Sequence, residues 1–382
     1  MPLHKSENFL VDFSNALLKK KIVICVGAGG VGKTTMSVAI GFLAASLGKK
    51  TLIMTIDPAK RLADALGIHV GGKPVLFEQK LNLEQKWQPK APLYAMMLDT
   101  KMAWRDLVTR LSSSGEVRES IFSNRFYKHL SEEMAGSGEF VACEALYTLA
   151  SESDFDLIVL DTPPTAQALD FLTAPERVLS FLDRDAFRLF SAQGFSFFAG
   201  TQRILMGVIG KFVPGHFLQE LIDFLNIFSE LYEPLVKRAH SFLHLLKSQE
   251  TMFSVVVAPR TNAIRESIEL VQALFAEKFA VEALIVNQVS PLLFFQGSLL
   301  EQREALRSLL FSMVIEPRKR DQLSSSLSEM LDEESKMMNE EEKLQSQLQQ
   351  AVSVPLFLQC PKIRPDLNLS EILQALLPRL SK

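Results

Sequence analysis

The sequence has few cysteines and no cysteine cluster. Its 382 residues include three, Cys25, Cys143 and Cys360, which lie far apart and form no Cys-x-x-Cys pair. This spacing argues against a disulfide framework and a zinc knuckle. It favours reduced thiols and therefore a cytoplasmic protein.

Long apolar runs and an excess of charge are also missing. No stretch approaches 18 uninterrupted apolar residues, and residues 1–21 lack the apolar core of a signal peptide. We therefore expect neither a secretion signal nor an integral membrane segment. The 41 basic and 44 acidic residues are well mixed, with a net charge of −3, so no basic face predicts nucleic-acid binding.

The chain does contain a glycine-rich loop with a lysine. Residues 27–35 read G-A-G-G-V-G-K-T-T, between an apolar β-branched run at 22–26 and a helical pattern at 34–45. Such a strand-to-helix turn binds phosphate, because glycines let backbone N–H groups point inward and the helix N-terminus adds partial positive charge. The alternative is a glycine-rich turn with a chance lysine, which the complete motif and its flanks disfavour.

The loop predicts ATP and Mg²⁺ as cofactors. Lys33 is expected to contact the β- and γ-phosphates in catalysis, and Thr34 to bind Mg²⁺ through its hydroxyl. The predicted nucleotide-binding residues of the loop are Gly27, Gly29, Gly30, Val31, Gly32, Lys33, Thr34 and Thr35.

Strand-like and helical patterns alternate along the chain. Apolar runs recur at 22–26, 51–56, 93–98, 157–160, 253–258, 283–286 and 354–358. This alternation predicts an α/β fold with a doubly wound, mostly parallel sheet. Ligands of such sheets lie at the carboxyl ends of the strands.

Two aspartates fall at predicted strand ends. Asp57, in D-P-A-K-R, is the candidate catalytic residue that orients a water for attack on the γ-phosphate; the alternative is a helix cap. Asp161, in L-I-V-L-D-T-P-P, is the candidate Mg²⁺ residue, acting through the metal's water shell, and again the alternative is a cap.

These motifs together resemble the deviant phosphate-loop ATPases, a family that includes the arsenical-pump ATPase and the ATPase guiding tail-anchored membrane proteins. The resemblance rests on the loop at 27–35, the switch I sequence at 57–61, the switch II sequence D-T-P-P-T-A-Q-A-L at 161–169, and M-A-G-S-G-E at 134–139. It is closest to the bacterial branch. It implies phosphate-loop topology and adenine binding by Asn287, after the sixth strand, and by Pro361, just past the last strand.

The resemblance also implies a dimer with nucleotide between its halves, which here needs two chains because one phosphate loop is present. Ala28 replaces the lysine that in the family reaches the partner's phosphates. By analogy with an arginine finger, this loss lowers the rate by roughly 10³–10⁵. Lys60 or Arg61 compensates, a partner chain that retains the lysine supplies the charge, or the protein is mainly a slow nucleotide switch. We favour the partner chain.

The sequence divides into a nucleotide-binding domain, 1–178 and 253–382, and an apolar helical subdomain, 179–252, inserted between switch II and the fifth strand. In the family this region forms a groove for a hydrophobic helix client. Alternatives are a packed helical core and, less well supported, a membrane-surface helix at 195–213. A polar stretch at 319–350 predicts an exposed helical segment.

Two classes of function follow. One is an ATP-hydrolysing dimer that couples nucleotide state to a hydrophobic client or partner; the other is a slow regulatory switch without client transport. A partition ATPase fits less well because that class relies on the missing lysine. Arsenical transport is disfavoured because the sequence has no cysteine cluster to bind the metalloid as thiolates. A zinc-bridged dimer is not expected either, because no Cys-x-x-Cys lies between residues 287 and 354.

Overall fold

An eight-stranded sheet forms the centre of the molecule. The computed structural model describes residues 13–57, 59, 61–124, 137–182, 215–290, 304, 308, 317–364 and 366–381. The strands are β1 Ile22–Val26, β2 Thr51–Thr55, β3 Val75–Leu76, β4 Leu93–Met97, β5 Leu157–Asp161, β6 Thr251–Val257, β7 Val281–Val289 and β8 Leu356–Pro361.

The strand order is β3-β4-β2-β5-β1-β6-β7-β8. Every pair is parallel except β3 with β4. This confirms an α/β fold with a mostly parallel sheet. All seven predicted strands are present, and β3 was not predicted, since two exposed residues carry no periodic pattern.

The central strands are mostly apolar and buried along their whole length because helices cover both faces of the sheet. All residues of β1, β2, β5 and β6 are buried. Three predicted positions need correction. β2 ends at Thr55, so Asp57 lies two residues beyond it. Asn287 lies within β7 and Pro361 within β8, because Val289 pairs with Pro361 and lengthens both strands.

Ten helices are labelled here in chain order. They are α1 Lys33–Ser46, α2 Arg61–Leu66, α3 Thr100–Leu111, α4 Gly115–Ser123, α5 Ser137–Glu152, α6 Thr165–Leu182, α7 Gly215–Leu246, α8 Thr261–Ala276, α9 Pro317–Ala351 and α10 Leu369–Leu380. No helix within the described ranges is long and apolar enough to cross a membrane.

Each face of the sheet has its own apolar core. Side chains of β1 alternate between them: Ile22, Ile24 and Val26 pack on one side, and Val23 and Cys25 on the other. The first core contains residues of α3, α5, α6, α7 and α8. The second contains residues of α1, α2 and α10. The sheet is therefore the middle layer of three.

An ion-pair network with one buried member, Glu144, joins α3, α5 and α7. Arg238 of α7 donates from Nε to Glu144 Oε2 at 2.6 Å and from Nη1 to Glu152 Oε1 at 3.0 Å. Arg110 of α3 donates to Glu152 Oε2 at 2.8 Å. Burial raises the pKa of Glu144, and Arg238 opposes that effect.

The three cysteines are free and buried. Burial raises the thiol pKa to about 12 for Cys25 and Cys360, and well above its usual value for Cys143.

The long helix α9 covers the stretch in which we expect an exposed helical segment. Its C-terminal end is anchored by the buried side chains of Gln345 and Leu348. Leu323, Met330 and Met337 are 44%, 61% and 50% exposed.

Candidate functional site

The glycine-rich loop joins β1 to α1, and three of its glycines have positive φ: 153° at Gly27, 73° at Gly30 and 92° at Gly32. A Cβ on Gly27 would lie 2.1 Å from the carbonyl oxygen of Val256. A Cβ on Gly32 would lie 2.3 Å from Nδ2 of Asn287. Strands β6 and β7 therefore approach the loop so closely that these two positions require glycine.

The loop has a buried side and an open side. Ala28 and Val31 are 5% and 1% exposed and belong to the core that contains α1. Gly29 and Gly30 are exposed, and Thr35 is half-buried in the first turn of α1. Because Ala28 is apolar and buried, the loop carries one cation, Lys33.

Lys33 is folded back onto its own loop. Its Nζ donates to the carbonyl oxygens of Gly27 at 3.0 Å and Ala28 at 2.9 Å. Burial lowers the pKa of Lys33, and the nearby carboxylate of Asp161 opposes that effect. The ammonium group is thus held inside the loop, where exchanging two carbonyl oxygens for phosphate oxygens requires only local movement.

Asp161 lies directly beneath the loop, at the end of β5. Its Oδ2 accepts hydrogen bonds from Thr34 Oγ1 at 2.7 Å and Thr55 Oγ1 at 3.3 Å. Its Oδ1 is buried and has no hydrogen-bond partner among the described residues. Burial raises the pKa of Asp161 to about 6, against the opposing effect of these bonds and of Lys33. A buried carboxylate oxygen without a partner is a feature of sites that bind a cation or water.

Asp57 contacts the start of the next helix. Its Oδ1 accepts from Ala59 N at 2.9 Å, and its Oδ2 pairs with Arg61 Nη1 at 3.1 Å. Its own N–H donates to Thr55 Oγ1 at 3.2 Å. Thr55 therefore contacts both acidic residues. In this conformation the Asp57 carboxylate contacts the backbone of Ala59, before the helix, and the side chain of Arg61, the first residue of α2. Lys60 lies outside the described residues.

The segment after Asp161 is tied to β1. Thr162 is buried, and its Oγ1 donates to the carbonyl oxygen of Cys25 at 2.7 Å. Since Cys25 lies in β1, two residues before the loop, movement of the segment after Asp161 would also move the end of β1 that leads into the loop. The side chains of Ala166 and Gln167 lie outside the described residues.

Asn287 and Gln288 hold the loop from the side of β7. Asn287 Nδ2 donates to the carbonyl oxygen of Val31 at 2.8 Å, and Gln288 Nε2 donates to that of Gly30 at 2.9 Å. Asn287 is 5% exposed, and its Oδ1 is buried without a partner in the described part of the chain. Gln288 has a φ of 62°, and the β7–β8 register shifts there.

Two other residues lie at the same edge of the sheet. Pro361 ends β8 and pairs with Val289, which ends β7 two residues after Asn287. Arg260, which follows β6, donates from Nη2 to Gln288 Oε1. The sheet thus brings the candidate phosphate and adenine residues to one edge.

Sequence reasoning missed three contributors: Thr55, Gln288 and Arg260. Thr55 is the register partner of Asp161 in β5, which requires knowing which strands are neighbours. Gln288 directly follows the predicted adenine residue Asn287, but its positive φ is not visible in the sequence. Arg260 follows the carboxyl end of β6. The rule that ligands of parallel sheets bind at the carboxyl ends of the strands could have identified it.

A parallel sheet with a glycine-rich loop after β1 and a buried acid at the end of adjacent β5 defines a phosphate-loop nucleoside triphosphatase. The chain belongs to the anion-transporting ATPase family, whose profile matches residues 20–350. Members of this family bind ATP and are ATPases.

Individual relatives are distant. The chain is 28% identical over 283 residues to an ATPase ASNA1 homologue of Entamoeba dispar, covering 71% of this chain and 77% of that protein. It is 25% identical over 291 residues to ATPase GET3B of Arabidopsis thaliana, covering 72% and 65%. It is 26% identical over 300 residues to ATPase ARSA1 of Chlamydomonas reinhardtii, covering 71% of this chain but 35% of that protein.

Proposed function

We propose that this chain hydrolyses ATP to ADP and phosphate and works as a dimer whose nucleotide state controls binding of a hydrophobic client or partner. The observation that carries the hydrolysis proposal is the Thr34–Asp161 pair. Thr34 Oγ1 lies 2.7 Å from Asp161 Oδ2, while the buried Oδ1 has no described partner. This arrangement suits a cation held beside the phosphate loop.

Phosphate binding is assigned to the loop. Lys33 exchanges the carbonyl oxygens of Gly27 and Ala28 for the β- and γ-phosphates, and its charge balances theirs. The backbone supplies the remaining donors at Gly27, Gly29, Gly30, Val31, Gly32, Lys33, Thr34 and Thr35.

Mg²⁺ fits the residues present. Thr34 would bind it through the hydroxyl, and Asp161 through a water on the unpaired Oδ1. When bound, Mg²⁺ neutralises charge on the phosphate oxygens. Its binding favours the ionised form of Asp161, whose pKa burial otherwise raises to about 6.

Asp57 is the proposed residue that orients the attacking water. For this role the ion pair between Asp57 Oδ2 and Arg61 Nη1, 3.1 Å long in this conformation, must first break. Arg61 is 60% exposed, so the pair is partly screened by solvent and can open at modest cost. The helix-start contacts and the catalytic contacts of Asp57 therefore belong to two successive states.

Asn287 and Pro361 are proposed to bind adenine. The support is that both lie near the carboxyl ends of neighbouring strands, since Pro361 pairs with Val289, two residues after Asn287. The unpaired Oδ1 of Asn287 can accept a hydrogen bond from the exocyclic amine of the base.

The dimer is a homodimer or a heterodimer with a paralogue that retains the lysine, and hydrolysis by this chain alone is slow. What supports this is Ala28, which is buried and leaves Lys33 as the single cation of the loop.

We further propose two domains, 1–178 with 253–382 and 179–252, and a cytoplasmic location, which the free cysteines support. Residues 183–214 of the proposed subdomain lie outside the described part of the chain. Helix α7 supports its coupling to the core, because Arg238 joins α7 to α3 and α5.

Phosphate release from purified protein with MgATP tests hydrolysis. Lys33→Ala and Asp57→Asn should each lower kcat by about 10²-fold or more, whereas exposed Lys80→Ala should not. Nucleotide binding without turnover in the wild type would contradict hydrolysis by this chain alone.

Adding a lysine-bearing paralogue then tests the heterodimer, and Ala28→Lys tests whether the missing charge limits the rate.

A second candidate, a regulatory switch without client, is favoured by the same Ala28. A fluorescent apolar helical peptide separates the two functions. Capture that depends on ATP supports client coupling, and intact ATP binding without capture supports the switch.

A further inference from the structure

Arg260 lies at the open side of the phosphate loop. It follows β6 as the residue preceding α8, and its backbone is fixed because Ile264 N donates to its carbonyl oxygen at 2.9 Å. Its side chain is exposed. The residue is thus held at the sheet edge where ligands of parallel sheets bind.

One amide group links Arg260 to the loop. Gln288 Oε1 accepts from Arg260 Nη2, while Nε2 of the same amide donates to the carbonyl oxygen of Gly30 at 2.9 Å. The guanidinium group is therefore one side-chain amide away from the loop. Gly30 has open space around its Cα, since a Cβ there would meet nothing within 4 Å.

The charge at this position has no acidic partner in the part of the chain that the structure describes. Among the described residues Arg260 forms no ion pair, and its one side-chain hydrogen bond is to the neutral amide of Gln288. Arg61, by contrast, is paired with Asp57. A guanidinium has five N–H donors in a planar fork that matches phosphate oxygens.

We propose that Arg260 contacts the phosphates of bound ATP and supplies the second cation of the site. Transfer of a γ-phosphoryl group spreads negative charge over its oxygens, and cations placed in advance stabilise that charge. Lys33 alone provides this charge from the loop, because position 28 is a buried alanine. The inference rests on the proposed nucleotide site. Arg260 reaches the phosphates by exchanging Gln288 for phosphate oxygens.

Affinities for fluorescent ATP and ADP analogues with Mg²⁺, together with kcat, test this contact. Arg260→Ala should weaken ATP binding by about 10-fold or more and ADP binding by less than about 3-fold, and should lower kcat. Arg260→Lys should restore part of the loss. Arg265→Ala, which removes an exposed arginine one turn further along α8, is the matched control and should change neither affinity.

Gln288→Ala separates a phosphate contact from a clamp on the empty loop. If Arg260 acts only by holding Gln288, both variants weaken ATP and ADP equally, and the proposal is wrong. The proposal is also wrong if Arg260→Ala is folded, as judged by circular dichroism, and binds ATP and ADP as tightly as the wild type. If the wild type binds ATP but does not hydrolyse it, only the hydrolysis proposal is contradicted. The Arg260 contact is still supported in that case if Arg260→Ala weakens ATP binding more than ADP binding. A wild type that binds neither nucleotide overturns both proposals.

Discussion

At the scale of single residues, the site holds a carboxyl group where its charge is unfavourable. Asp161 is 2% exposed, and one of its oxygens has no described hydrogen-bond partner. Burial raises its pKa from the ordinary 3.8 to about 6. The same arrangement that suits a cation therefore destabilises the ligand-free protein as pH rises from about 4 to about 6, and the cost persists at higher pH.

Asp161→Asn should reveal this cost. Because the folded pKa is the higher one, the wild type loses stability as pH rises from about 4 to about 6, by up to about 3 kcal/mol. The variant lacks the charge, so its free energy of unfolding should exceed that of the wild type at pH 7.5, with the difference vanishing near pH 4. Urea denaturation in EDTA measures this. Exposed Asp106→Asn is the control, and an equal difference at both pH values would argue against the buried charge.

Gly32→Ala tests the close packing of β7 on the loop. A Cβ there would lie 2.3 Å from Asn287 Nδ2 in a backbone with φ of 92°. We expect a loss of about 2–3 kcal/mol in the free energy of unfolding. Gly29→Ala, whose Cβ would meet nothing within 4 Å, should stay within about 0.5 kcal/mol. Similar losses for both variants would show that the approach is not tight.

At the scale of elements, α7 is attached to the core by charge as well as by apolar packing. Leu231, Leu235 and Phe242 are buried in the core that contains α3 and α5. Arg238, between them in sequence, pairs with Glu144, which is 3% exposed. Removing one partner would leave the other buried and uncompensated.

Arg238→Ala should therefore lower the free energy of unfolding by about 3 kcal/mol, and Glu144→Gln in addition should recover part of it. Lys237→Ala, an exposed neighbour on α7, should be near neutral. Denaturation of the two single variants and the double variant gives the coupling energy. Strictly additive losses would mean that the pair does not act as a unit.

Elements with a local pattern were predictable, and elements defined by distant contacts were not. β1, the loop and α1 form one continuous pattern, and Asp161 ends a strand whose other residues are all apolar. The lengths of β7 and β8 depend on pairing between residues 281–289 and 356–361. The fold-back of Lys33 and the Arg260–Gln288–Gly30 contacts also depend on distances that periodicity does not encode.

At the scale of the whole molecule, the open edge of the loop has a consequence for assembly. Gly29 and Gly30 are exposed among the described residues, which contact the loop from the side of β6 and β7. In the proposed dimer a second molecule would cover this exposed side.

Sedimentation with ADP and with a non-hydrolysable ATP analogue checks this assembly. We expect the ATP analogue to increase the dimer fraction, for the chain alone or mixed with a lysine-bearing paralogue. Lys33→Ala should abolish the increase, because the loop then loses its phosphate contact. A dimer fraction independent of nucleotide in every mixture would contradict assembly controlled by ATP.

The burial of all three cysteines makes their thiols unreactive in the native protein. Since the thiolate is the reactive form and burial raises each thiol pKa, maleimide should label the folded chain very slowly. A cysteine introduced at an exposed position, such as Arg265→Cys on α8, would then carry a single fluorophore without any need to remove native residues. The wild-type thiols would in turn report opening of the two cores, with Cys25 and Cys360 on one face of the sheet and Cys143 on the other.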